Sequence, residues 1–383
     1  MTRVAVNPDL LNWALARADL SADALIKAFP KIHNWLNGEI QPTLKQLESF
    51  ANKTHTAIGY LFLPEPPTET LPVPDFRTMA NVRLDRPSPD LLDTLYACQQ
   101  RQHWYRDYLR LHGEDALAFV GTVSVESDIV RVAAEMRDVL GFDLEQRRAI
   151  PTWTEALRQF ISRVGDAGVL VMVSGIVGSN THRKLDPEEF RGFALADDLA
   201  SLIFINGSDS KAAQMFTLAH ELAHIWLGES GVSDAQAAVL PDEQIEHWCN
   251  AVAAEFLAPL EVVSELYQPD AELLDEMQRL ARQFKVSTLV ILRRFFDMEI
   301  IGRDAFWDHY HEELTRLRNL DRRGNGGGDF YNNLGARVSK RFVKALVSST
   351  LEGQTLFQDA FRLLNIRKSE TFYKEAERLG LRQ

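Results

Sequence analysis

The sequence predicts an α+β protein that is mostly helical, with a small sheet near its middle. Two observations carry this. Most of the chain repeats apolar residues at three- and four-residue spacing between recognisable helix caps. Three short apolar runs, at 169–173, 190–195 and 202–205, read as strands, the first of them buried.

Taken in order, residues from about 6 to 63 read as short helices. Ser21 caps a helix through Phe29, Pro30 opens another through Leu36, and Asn37-Gly38 closes it. Pro42-Thr43 starts a third through Ala51. Pro64, Pro66, Pro67, Pro72 and Pro74 then mark an extended linker. Ser88-Pro89-Asp90 begins a long helix through Leu111, and others are expected at 125–140 and 154–164, with Gly168 ending the last. The second and third strands are joined by a turn at Asp197-Asp198. Two helices follow, from Lys211 to a stop at Gly228 and from about Glu243 to Leu257, before Pro259. Residues 261–383 are almost all helical, broken by a glycine run at 324–328. That run lacks the Gly-Lys-Ser/Thr ending of a phosphate loop and reads as a linker. The expected domains are 1–67, 68–150, 151–260 and 261–383.

A chain of 383 residues suggests more than one core. The 45% hydrophobic and 25% charged content is that of a soluble globular protein. Cys98 and Cys249 are too few for a disulfide framework and sit in patterns that read as interior. No signal peptide is recognisable, and the longest apolar stretch is too short to cross a bilayer, so a cytoplasmic location with no membrane contact is expected. A formal charge of −12 opposes non-specific attraction to nucleic acid. DNA binding would need a local patch. One basic stripe, Arg337, Lys340, Arg341 and Lys344, reads first as a solvated helix face.

His220-Glu221-Leu222-Ala223-His224 is the H-E-x-x-H arrangement of zinc peptidases. A 3.6-residue period puts both histidines on one face, so their imidazoles can meet one ion. Glu221 then lies beside it as the base that takes a proton from attacking water. The bare motif also occurs on surface helices with two solvated histidines, so its surroundings decide. A catalytic zinc takes three protein ligands and leaves one position open. The next helix offers Glu243, Glu246, His247 and Glu255. Glu246 has Asn250 one turn on, where an amide can orient the carboxylate. Glu255 points the opposite way, so only one of these two can face the ion. The 202–205 strand is either an edge for an extended substrate or a core strand. His182, His247 and Tyr267 are candidates to stabilise a tetrahedral intermediate, with no spacing that chooses among them. His309 and His311 precede Glu312 but lack a second histidine at Thr315 and read as helix surface.

The stretch Glu246-His247-Trp248-Cys249-Asn250-Ala251-Val252-Ala253-Ala254-Glu255-Phe256-Leu257-Ala258-Pro259 resembles the E-x-x-A-N-x-F-A-A-E-L-L-M-P signature of the ImmA/IrrE metallopeptidase family. Phe216-Thr217-Leu218-Ala219-His220-Glu221-Leu222-Ala223-His224 is similar to its F-T-L-A-H-E-L-x-H, and Leu202-Ile203-Phe204-Ile205-Asn206 to its strand-to-Asn entry. The matches span about 190–259. Cys249, Val252 and Ala258 depart from the pattern without removing a ligand. The resemblance implies a small-sheet gluzincin core, Zn²⁺ held by His220, His224 and Glu246, and Glu221 as base. It further implies a zinc endopeptidase that cleaves a repressor or antitoxin-like protein in a stress or mobile-element response.

Residues from about 15 to 63 resemble the Cro/repressor-type helix-turn-helix that precedes the peptidase in many relatives. Ala16-Arg17, Leu20-Ser21-Ala22-Asp23-Ala24-Leu25, Trp35-Leu36-Asn37-Gly38-Glu39, Pro42-Thr43 and Gln46-Leu47-Glu48 carry that resemblance. The usual glycine turn and serine-rich start of the reading helix are missing. Lys31, His33 and Asn34 are the expected DNA contacts; the alternative is a protein-docking domain that lost them. The rival function is a DNA-binding regulator or antitoxin paired with a small toxin, such as a PIN-domain nuclease, in which the peptidase fold serves binding.

Overall fold

The computed structural model describes residues 3–18, 22–76, 78–79, 82–83, 87–233, 244–321, 334–335 and 337–381. Two compact units emerge: residues 1–72 with 84–93, and residues 73–83 with 94–383. The expected cap at Ser21, the candidate Glu243 and the glycine run at 324–328 lie outside the described residues.

In the first unit, α1 (Pro8–Ala18), α2 (Ala22–Ala28), α3 (Ile32–Leu36) and α4 (Leu44–Lys53) follow one another. They enclose a core of Leu10, Leu11, Trp35, Leu47 and Phe50. Helix α4 starts at a capping box in which Thr43 and Gln46 satisfy each other's backbone N–H groups. Pro30 and Lys31 form a turn, so the helix expected from Pro30 begins at Ile32.

Helix α5 (Pro89–His112) starts where expected, with Ser88 Oγ accepting from the Leu91 N–H at 3.1 Å. The second unit opens with a short ladder of β1 (Thr78–Met79) and β2 (Val82–Arg83). Helix α6 (Ile129–Leu140) begins later than the expected residue 125, because Asp128 takes the cap and accepts from the Arg131 N–H at 2.7 Å. Two more helices, α7 (Leu144–Ala149) and α8 (Trp153–Asp166), lead to the sheet. The sequence reading missed α7.

The sheet consists of β3 (Leu170–Ser174), β4 (Gly192–Leu195), β5 (Leu202–Asn206) and β6 (Gly231–Ser233), in the order β3-β5-β4-β6. Strand β5 runs parallel to β3 and antiparallel to β4, which is antiparallel to β6. The three expected strands are present, and β6 is an addition. Strand β5 is therefore internal, with both rows of backbone groups engaged, and does not form the substrate edge considered for it. Nor does the proline-rich stretch stay a plain linker. Near its end Asp75 bridges in parallel to Val232 on β6.

Helix α9 (Lys211–Leu227) lies beneath this sheet. Ser210 caps it, and Gly228, at φ 74°, closes it. Every residue from Gln214 to Trp226 is buried, which is the pattern of a helix at the centre of a domain rather than on its surface. Helix α10 (Gln244–Leu257) packs beside α9, followed by α11 (Leu260–Leu266), α12 (Leu273–Phe284), α13 (Thr288–Asp297) and α14 (Arg303–Asp321). Three further helices span Lys340–Leu351, Phe357–Leu364 and Ser369–Arg378. The architecture is α+β and mostly helical. Among the described residues no helix is long and apolar enough to cross a membrane.

The C-terminal end of α10 is held by three guanidinium groups. Arg137 donates to the carbonyl of Glu255 at 2.9 Å, Arg294 to that of Ala258 at 2.8 Å, and Arg147 to that of Leu257. Helix C-termini leave carbonyls without intrahelical partners and carry partial negative charge, so buried cations are well placed there. Burial pushes the Arg147 guanidinium down to about 9, a sign of how far this charge is carried from water. The anchoring fixes the direction of α10 and hence where its first turn points.

Candidate metal centre

Helix α9 presents His220 and His224 one turn apart, both fully buried, with ring centroids 4.9 Å from each other. Across from them the first turn of α10 delivers Glu246, only 3% exposed. Its Oε2 lies 3.2 Å from His220 Nε2, and its Oε1 lies 2.9 Å from His224 Nε2. The two Nε2 atoms are 3.1 Å apart. One donor atom from each of these three residues falls within 4.8 Å of the others.

The fit to a metal rests on where protons can sit. Asn250 Oδ1 lies 3.0 Å from His220 Nδ1; an amide oxygen only accepts, so that nitrogen carries the ring proton. The Nε2 of His220 is then a bare lone pair aimed at the other donors. Glu246 Oε1 makes no hydrogen bond among the described residues despite its burial. A buried orphan oxygen facing an imidazole nitrogen, on a carboxylate whose other oxygen faces a second one, is what a cation would satisfy. Burial alone would push the Glu246 carboxyl up, but without a metal the adjacent imidazoles, when protonated on Nε2, hold it down at about 2; a bound cation takes the place of those protons. The donor set, two imidazole nitrogens and one carboxylate, suits a divalent ion such as zinc.

Glu221 is fully buried beside this cluster. Burial is the main force on it and pushes its carboxyl up to about 8. Ser233 Oγ on β6 donates to its Oε1, while Oε2 has no partner among the described residues. Strand β4 runs very close behind. A Cβ on Gly192 would lie 2.9 Å from Glu221 Oε1 and 2.6 Å from Thr217 Cγ2, so only glycine leaves room for the carboxylate.

The structure thus brings His220, Glu221, His224 and Glu246 together. Glu255 is elsewhere: its Oε2 accepts from Arg294 Nη2 at 3.1 Å and from the Leu260 N–H at 3.2 Å, a buried ion pair that also caps α11. Asn250 corrects one expectation, since its contact is to His220 rather than to the Glu246 carboxylate. We expect Asn250→Ala to weaken metal binding by roughly 10–100-fold, the usual worth of a partner that orients a ligating histidine, as read by chelator competition. An unchanged affinity would mean that the amide does not set the tautomer.

Among the three candidates for transition-state stabilisation, His182 and His247 are exposed, and Tyr267 packs edge-on against Phe295 at 5.2 Å. In the N-terminal unit Lys31 and His33 are exposed at the start of α3, whereas Asn34 donates to Glu39 at 2.7 Å. Sequence reasoning missed Ser233, Gly192 and Phe76, whose ring stacks on His224 at 5.6 Å and 12°. Only Gly192 left a signal, as a glycine inside a strand pattern.

Residues 165–296 match the IrrE N-terminal-like domain, and residues 338–378 match a domain of unknown function (DUF8813). Over 159 residues the chain is 30% identical to the radiation response metalloprotease IrrE of Deinococcus radiodurans, an alignment covering 37% of this chain and 48% of that protein. The chain therefore spans about half the length of that curated relative.

Proposed function

We propose that this chain, a member of the ImmA/IrrE family through its IrrE-like domain at 165–296, is a zinc-dependent endopeptidase acting on a repressor or antitoxin-like regulatory protein. The observation that carries this reading is the convergence of His220, His224 and Glu246, with a buried carboxylate, Glu221, next in sequence to the first of them. Zinc held by those three residues would supply Lewis acidity toward water and toward the substrate carbonyl. Glu221 is the proton carrier. Its Oε2 is the atom free to accept a proton from attacking water and return it to the departing amine. Ser233 holds the other oxygen and so sets which lone pairs of Glu221 face the cluster. Asn250 keeps His220 in the tautomer whose Nε2 can ligate.

Incubating the full chain with candidate repressors tests this. Cleavage should stop with a chelator and return when zinc is restored; cleavage that persists without metal defeats the reading. A second reading, a DNA-binding regulator or antitoxin that pairs with a small toxin, is supported by the exposed Lys31 and His33. Its binding would survive Glu221→Gln, whereas peptide cleavage would not.

A further inference from the structure

Residues 74–76 lie along the outer side of β6, at the metal centre. The Phe76 N–H donates to the Val232 carbonyl at 2.9 Å, and the Val232 N–H donates to the Pro74 carbonyl at 3.0 Å. These are the main-chain bonds by which an extended peptide adds to a sheet. The Phe76 ring then reaches past the strand to stack on His224. It fills a niche that exists because position 231 has no side chain: a Cβ on Gly231 would lie 2.2 Å from Phe76 Cε2. Strand β6 also supplies Ser233, which touches Glu221. One three-residue strand thus contacts the base and an extended stretch of chain, and the ring carried by that stretch stacks on a candidate ligand. The two backbone bonds and the ring contact are ones that a competing strand with an aromatic side chain can also make.

We infer that residues 74–76 occupy the peptide-docking position of this centre. The edge of β6 takes an extended peptide, and the niche formed by Gly231 and His224 takes an aromatic side chain of that peptide. Phe76 competes with substrate for the same place. This inference rests on the endopeptidase reading and names the substrate feature it would select.

The test uses the full-length chain and a fluorescently labelled ten-residue peptide containing Pro-Asp-Phe, followed by anisotropy with and without chelator. Phe76→Ala should bind the peptide about ten-fold more tightly than wild type, as expected when an internal competitor holds nine-tenths of the sites. The gain should vanish when the peptide's Phe is replaced by Ala, and in the double variant Phe76→Ala, Gly231→Ala. In wild type, saturating peptide should speed hydrogen exchange at the Phe76 amide, a readout that needs no substitution. Equal affinity in wild type and Phe76→Ala, or Phe76 exchange unmoved by bound peptide, overturns the inference. Tighter binding that survives chelation supports it even if the chain cleaves nothing. A chain that cleaves with zinc yet shows no gain in Phe76→Ala sinks this inference alone.

Discussion

Replacing Glu221 by Gln is expected to lower peptide cleavage by roughly a hundred- to ten-thousand-fold, the range that a positioned general base contributes. Metal content should not change. The amide has the shape of the carboxylate, and its oxygen can still accept from Ser233 Oγ, so the packing between α9 and β6 is retained. What is lost is the basicity of Oε2, the oxygen with no other partner among the described residues. Elemental analysis, thermal unfolding and single-turnover cleavage of a peptide separate these effects. A variant that folds, holds metal and still cleaves at the wild-type rate would place the base on another residue.

The second large effect distinguishes two glutamates of one helix. Glu246→Ala should remove metal altogether, a loss well beyond the ~10–100-fold that outer partners of a ligand are worth, because a donor itself is gone. Glu255→Ala should keep metal but destabilise the fold by about 1–3 kcal/mol, since the buried Arg294 guanidinium loses one of its two carboxylate partners and keeps Asp297. The pair is well shielded, with side-chain exposures of 6% for Arg294 and 7% for Glu255, and the same carboxylate also serves the Leu260 N–H. Metal analysis and denaturant unfolding on both variants give opposite patterns under this assignment. Loss of metal in Glu255→Ala alone would reverse it.

Local order was the legible part. Helix α9 announced itself through its periodicity, its glycine stop and the four-residue spacing that sets two imidazoles on one face. The opposition of Glu246 and Glu255 followed from the same period, and the structure sends them to different surroundings. Asn250 was found one turn from Glu246, but the period could not say that its amide reaches across to α9. Strand β5 was recognised as a strand with edge or core left open, and its place inside the sheet, like that of β6 at the sheet's end, depended on pairing between distant segments. Ser233 and Phe76 had no pattern of their own to stand out by.

By itself the sequence determined which residues share a helix face, because an α-helix is closed by hydrogen bonds four residues apart and its geometry needs no distant partner. Only the tertiary structure decided what faces what: Glu246 against the histidine pair, Ser233 against Glu221, and the Pro74–Phe76 stretch along β6. Those meetings come from the packing of α10 on α9 and from strand order. Both are selected by burial of the whole core rather than by any residue's neighbours in the chain.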